Sequence, residues 1–247
     1  MKKSIYSTSQ KIALLELPGL QDLVHQFEVV SAEQMSLAEA IQKKIQIIEV
    51  QSHEFEVVQT HVKAIDWKTH HIRLVDVLQL MPNGMYHALH LVPDCLLQIL
   101  KEKSFFGQSQ TTAMIIGSYE FVLGMSVKMA LSGFSQLVVS LSDSKKNQEL
   151  AQRLKECVFQ VQITFVPLAE LTQVQQTSSI LISNVSEKMN AEAYESLMYF
   201  NFLSEGAIFV DCCSLENQSL VSEARRAGLK VIEETDIMRV KYQTLLK

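Results

Sequence analysis

The chain has 247 residues, 47% of them apolar and 20% charged, with a formal net charge of -5. That balance excludes a disordered chain, allows one large domain or two of ordinary size, and argues against bulk binding of nucleic acid. No run approaches the roughly 18 consecutive apolar residues of a membrane helix, so no membrane insertion is expected.

The opening "MKKSIYSTSQKIALLELPGL" has two lysines, but its apolar part is short and broken by Glu16 and Pro18. It reads as a first strand at Ile12 to Leu17 rather than as a secretory signal. "FEVVS", "QIIEVQ" and "EFEVVQTHVKAIDW" read as strands, with "AEQMSLAEAIQKK" a helix between the first two. Pro82, Asn83 and Gly84 between the alternating flanks of "VLQLMPNGMYHALHL" signal a hairpin. "DCLLQILKEKSFFGQ" is then a helix, and a domain boundary falls near 101 to 110.

The second half alternates cleanly. "TAMIIGS", "SQLVVSLS", "VQITFVP", "SSILISNVS", "GAIFVDCCS" and "LKVIEE" are short apolar strands. Between them lie "YEFVLGMSVKMALSGF", "DSKKNQELAQRLKECV" capped by Asp143 or Ser144, "NAEAYESLMYFNFLSEG", and "NQSLVSEARRAG" closed by Gly228. Strands alternating with helices predict a parallel sheet covered on both faces. The fold class is therefore α/β: an N-terminal α/β domain over 1–105, then a Rossmann-type doubly wound parallel-sheet domain over 106–247.

Cys95, Cys157, Cys212 and Cys213 form no CxxC, and no histidine stands at ligand spacing from them. Cys212 and Cys213 would point to opposite faces of a strand, as would the neighbours in "THH" at 69 to 71. No metal is expected, and reduced thiols fit a cytoplasmic protein.

In "AMIIGSYEFVLG" an apolar strand ends at Gly117, where a dinucleotide turn would begin. Such a turn needs small residues so that the backbone can approach a pyrophosphate. Here Tyr119 follows two residues on and Val122 five residues on.

This layout resembles the shikimate/quinate dehydrogenase family, which joins a substrate domain to a nicotinamide domain. "GAIFVDCCSLENQSLVSEARRAGLKVIEETDIM" is similar to its strand, Thr-Pro-Leu helix start, arginine-rich helix, glycine and closing strand. "ILISNVSEKM" resembles the strand ending in Asn-Ala-Thr-x-x-Gly-Met, with Asn184 and Ser186 on the Asn and Thr, though no glycine precedes Met189. "NGMYHALHLVPDCLLQIL" fits the segment around Gly-x-Asn-Thr-Asp-Gly without a gap. The resemblance implies NADP as cofactor and a lysine and an aspartate acting together on a substrate hydroxyl.

The functional positions depart from the family pattern. Only Gly117 and Ser118 match its Gly-Ala-Gly-Gly-Ala turn, and Gly124 comes a turn too late. Leu141 and Ser142 stand on the Asn and Arg that hold the adenosine 2′-phosphate, while Asp143 reads as a cap. His90, Leu91, Val92 and Pro93 stand on Asn-Thr-Asp-Gly, so Val92 replaces the aspartate, with Asp94 two residues on. "VKAIDWKTHHIRLVDVL" echoes Asn-Val-Thr-x-Pro-x-Lys with Lys68 on the lysine; the alternative is a β-turn "WKTH" between two strands. The C-terminal substrate glutamine falls near Lys241, Tyr242 or Gln243, making Gln243 the substrate-binding candidate. "STSQ" at 7 to 10 precedes the expected first strand, so the early Ser-x-Ser motif finds no partner.

The favoured reading is a pseudoenzyme with no cofactor, binding a protein partner or a small ligand as a scaffold or regulator. The alternative is an NADP-dependent oxidoreductase using Gly117, Ser118, Asn184 and Ser186 for cofactor and Lys68, His90 or Asp94 as acid/base. A crevice at the strand ends would be bordered by Tyr119, Ser142, Asn184, Ser186 and Cys212, with His90 and Asp94 facing it and no fixed positive charge among them. The apolar "SLMYFNFL" segment (196 to 203), read as helix, offers Tyr199 and Phe202 as a second binding face, including that of a homodimer.

Overall fold

The computed structural model describes residues 2–9, 13–30, 35–51, 54–65, 67–103, 111–174, 178–188, 191–213 and 216–247, the side chains of 67, 68, 192 and 193 excepted. Gln10, Met189 and the expected boundary between residues 105 and 106 lie outside the described residues. The chain divides into two compact units, Met1–Leu96 with Met238–Lys247, and Leu97–Ile237.

The first unit contains β1 (Lys3–Ser7), α1 (Ala13–Glu16), α2 (Gln21–Val24), β2 (Phe27–Val30), α3 (Leu37–Gln42) and β3 (Ile47–Glu49). It continues with α4 (Phe55–His61), β4 (Ala64–Ile65), α5 (Trp67–Ile72), β5 (Val77–Leu80), β6 (Tyr86–Leu89) and the start of α6 (Val92–Glu102). Its sheet runs β2-β1-β3-β5-β6-β4. β1 pairs parallel with β2 and β3, whereas β5 is antiparallel to both β3 and β6. The hairpin is where Pro82, Asn83 and Gly84 placed it, with Leu80 opposite Tyr86 and Gly84 at φ 78° supplying the left-handed residue. α3 starts on the Ser36/Glu39 capping box, each side chain bonded to the other's backbone N–H.

Elsewhere in this unit the sequence expectations need correction. The first strand is Lys3–Ser7. Of the strand expected at Ile12 to Leu17, Ile12 lies outside the described residues and Ala13–Glu16 is helix, with Leu14 and Leu17 both buried at a spacing of three, which is a helical face. "FEVVQTH" is α4, because Phe55, Val58 and the following Val62 bury at i, i+3 and i+7. "WKTH" opens α5 instead of forming a β-turn, with Thr69 and Ile72 buried on one side, so the histidines of "THH" lie on a helix.

The second unit contains the rest of α6, then β7 (Thr112–Gly117), α7 (Tyr119–Leu131), β8 (Gln136–Leu141), α8 (Asn147–Cys157) and β9 (Gln162–Phe165). After them come β10 (Ser178–Ser183), α9 (Ala191–Leu197), β11 (Leu203–Asp211), α10 (Gln218–Arg226), β12 (Lys230–Glu233) and the first residues of α11 (Glu234–Leu246). All its strand pairs are parallel, in the order β12-β11-β10-β7-β8-β9. This is a Rossmann-like doubly wound sheet whose order reverses between β7 and β10. Every residue of β7 is buried, as a strand covered on both faces requires. One face packs Met114, Ile116, Leu181 and Phe209 against Tyr194, Leu197, Leu220 and Ala224.

α9 ends at Leu197, short of the helix expected through "SLMYFNFL". Phe200 takes a φ of 47°, reversing the chain into β11. Phe200 and Phe202 turn into the core while Tyr199 is 72% exposed, so Tyr199 and Phe202 do not share a binding face.

Candidate functional site

β7 delivers Gly117 to the C-terminal edge of the second sheet, beside the switch in strand order where ligands of such sheets bind. The neighbour that demands glycine there is a side chain. A Cβ on residue 117 would lie 1.7 Å from Asn184 Oδ1 and 2.8 Å from its Cγ. The same oxygen accepts the Ser118 N–H at 3.1 Å, and Asn184 Nδ2 lies 3.4 Å from Ser118 Oγ. On the other side, the Gly117 carbonyl accepts from Ser142 N at 2.9 Å and from Ser142 Oγ at 3.2 Å. Asn184 is itself anchored: its N–H donates to Ile116 O at 3.2 Å, and its carbonyl accepts the Cys213 thiol at 3.3 Å. Gly117, Ser118, Ser142 and Asn184 therefore form one hydrogen-bonded group.

Tyr119, the first residue of α7, is half-buried, and Lys146 Nζ stands 5.4 Å from its ring centroid. Burial, with Glu149 nearby, pushes the phenol up to about 12, so it is protonated at neutral pH. Lys146 is a residue that sequence reasoning missed, although the lysine pair of "SDSKK" just after β8 was the available signal. It adds a fixed positive charge beside Tyr119, outside the set of crevice residues expected from the sequence. Asp143 caps the turn Ser144–Lys146, its Oδ1 accepting Lys145 N at 3.1 Å. Val122 is fully buried in the core.

β11 ends at Asp211, so Cys212 and Cys213 follow the strand in a turn and do not point to opposite strand faces. Cys212 N donates to Ser183 O at 2.8 Å, and Cys213 N to Asp211 Oδ1 at 2.9 Å. Burial raises both thiols, Cys213 to about 12, which leaves them protonated and poor nucleophiles. Asn217 Nδ2 ties Asp211 Oδ1 at 3.0 Å to Val185 O at 2.8 Å. Burial lifts the Asp211 carboxyl to about 6. Ser186 is fully buried, and its Oγ makes no hydrogen bond to the described residues.

In the first unit Lys68 lies in the first turn of α5. His90 is buried, its N–H donating to Thr69 Oγ1 at 3.1 Å. Asp76 takes the Leu91 N–H at 2.7 Å on one carboxylate oxygen and the Val92 N–H at 2.8 Å on the other, so both oxygens serve the start of α6. Asp94 is exposed in that first turn. Ser7 ends β1 and Thr8 and Ser9 follow it directly, correcting the expectation that "STSQ" precedes the first strand; Ser9 N donates to Ser7 Oγ at 3.2 Å. Gln243 is exposed, and Lys241 and Tyr242 are the inward residues of that stretch.

Among the described residues no group of three or more His, Cys, Asp or Glu is placed to hold a metal ion, and no helix is long and apolar enough to cross a membrane.

No family model and no curated protein matches the chain. Solved structures do. Quinate dehydrogenase from Corynebacterium glutamicum, in complex with NAD, superposes with a TM-score of 0.76 at 10% identity, covering 100% of this chain and 92% of that one. Shikimate 5-dehydrogenase from Listeria monocytogenes, in complex with shikimate and NAD, gives 0.70 at 10% identity, covering 99% and 89%. The 5-ketofructose reductase of a Gluconobacter species gives 0.69 at 13% identity, covering 100% and 91%. The chain thus has a shikimate/quinate dehydrogenase-like fold along its whole length.

Proposed function

We propose that this chain is a shikimate dehydrogenase-like protein with degenerate cofactor and catalytic motifs, a pseudoenzyme acting as a binding, scaffold or regulatory protein. The observation that carries this reading is the Asn184 carboxamide. Its oxygen holds the Ser118 N–H at 3.1 Å, the first backbone donor of the turn that a pyrophosphate would need. Tyr119 adds a phenol where the family has glycine. Ser142 commits both its N–H and its hydroxyl to Gly117 O, and it offers no guanidinium to a 2′-phosphate.

The catalytic positions support the same reading. Val92 has no proton to exchange, and Asp76, the acid bound to its N–H, already uses both carboxylate oxygens. α4 follows β3 closely, which offers a second register for the lysine motif: "EVQSHEF" from Glu49 to Phe55 then lies on Asn-Val-Thr-x-Pro-x-Lys. In that register buried Phe55 replaces the lysine, and Lys68 belongs to the following helix. Calorimetric titration with NADPH and NADH tests the proposal. We expect no saturable binding up to millimolar cofactor; a micromolar dissociation constant overturns it.

One observation favours the second reading, an oxidoreductase with a remodelled site. Lys146 beside Tyr119 provides a cation near the turn, and a neighbour in fold carries NAD. NADP would then lie against Gly117, Ser118, Asn184 and Ser186, with Lys68, His90 or Asp94 as acid/base. Cofactor-dependent turnover that disappears on Lys68→Ala or Asp94→Ala would establish it.

A further inference from the structure

The last ten residues belong to the first unit, although the sequence before them belongs to the second. Met238, Lys241, Tyr242, Leu245 and Leu246 fall at i, i+3, i+4, i+7 and i+8, one face of α11. Tyr242 and Leu245 are fully buried with Ile5, Leu14, Leu17, Leu20 and Phe27, and Met238 and Leu246 pack at the margin of that cluster. Lys241 is out of character on such a face: it is an ammonium at 5% exposure.

Its Nζ lies 2.7 Å from Glu49 Oε1, at the buried end of β3. The Tyr242 hydroxyl donates to the same oxygen at 3.0 Å and accepts the Leu14 N–H at 3.2 Å. Burial opposes the charge on Lys241, but Glu49, Tyr242 and Asp76 together outweigh it and keep the ammonium protonated. Asp76, the other carboxylate near Lys241, is engaged by the Leu91 and Val92 amides. Nearer the surface, Lys3 Nζ donates to Leu245 O at 2.7 Å, and Arg239 pairs with Asp22 at 2.7 Å and bonds Gly19 O.

An apolar helix face alone would tolerate sliding in its groove. A slide of one turn here would set Ile237 or Leu245 against Glu49 and leave two buried charges without partners, which is strongly disfavoured. We propose that Met238–Lys247 is a strap that closes the first unit as one cooperative piece, latched in register by the Glu49–Lys241 pair. The strap and the α1–α2 segment it covers gain and lose protection together. This inference holds under either functional reading.

Hydrogen exchange on the full chain tests it, comparing Glu49→Lys, Lys241→Glu and the swapped double variant. Each single change should speed exchange roughly a hundredfold or more in 238–247 and, to the same degree, in 13–24, leaving 112–141 unchanged. The swapped pair should recover most of that protection. Should the single variants fail to fold, Lys241→Gln, whose amide still donates to Glu49, should give a smaller rise in the same two segments. Exchange like the parent's in the Lys241 variants, a rise confined to 238–247, or a swapped pair no better than the singles overturns the proposal.

Discussion

Gly117 keeps its identity under a contact that involves no ligand. A methyl group on residue 117 would stand only 1.7 Å from Asn184 Oδ1, so Gly117→Ala forces the carboxamide out and breaks its bond to Ser118 N. We expect a loss of about 1–3 kcal/mol in urea unfolding. With Asn184→Gly in the same chain the combined loss should be smaller than the sum of the two single losses, a coupling that a cofactor-only role for Gly117 does not produce. Asp211 gives a second prediction at this scale. Burial raises its folded carboxyl to about 6 from an ordinary value of 3.8, so the folded state binds the proton more tightly. The stabilisation is full below pH 3.8 and is lost as pH rises through about 6, a fall of up to about 3 kcal/mol. Asp211→Asn should flatten that part of the stability curve; an unchanged slope refutes the assignment. Gly117, Ser118, Ser142 and Asn184 were legible because each sits at a strand end or turn. Asp76, Glu49 and Lys241 were not, because charges in apolar runs read as surface until their partners, 15 to 192 residues away, are known.

Strands that are buried on both faces announce themselves, and helices with a narrow apolar face do not. Most strands of the second sheet are short apolar runs between turn residues, so their positions followed from pattern, although β11 begins at Leu203, inside the stretch expected to be helix. In the first unit "EFEVV" has the β-branched residues of a strand, yet its buried positions are spaced for a helix, and only packing settles which periodicity counts. "SLMYFNFL" misled differently: continuous apolarity concealed a chain reversal at Phe200. Two of its three aromatic side chains, Tyr199 and Phe202, alike in the sequence pattern, should behave oppositely. Phe202→Ala removes a fully buried ring and should cost about 3–5 kcal/mol. Tyr199→Ala, at a largely exposed position, should stay within about 0.5 kcal/mol of the parent. Equal effects would mean that the chain continues as a helix through this stretch.

A fold and a site make different demands on sequence. Burial asks only for apolar side chains of about the right size at the right spacing, so a sheet order survives extensive replacement. A hydride-transfer site asks for particular atoms: a proton carrier at the substrate hydroxyl and free backbone donors at the phosphates. On the proposed reading Val92 stands where the family's proton-carrying aspartate would be, and the Ser118 donor is held by Asn184. General acid–base assistance is typically worth roughly 10²–10⁴-fold, so its loss alone would cripple oxidation of a bound substrate. We therefore expect the purified chain to show no NADP- or NAD-dependent turnover of shikimate or quinate. Val92→Asp should not restore it, because an acid at that position leaves the pyrophosphate turn closed. Steady turnover by the unaltered chain would defeat the pseudoenzyme reading. Turnover gained by Val92→Asp alone would show that the turn still accepts cofactor and that only the proton carrier had been lost.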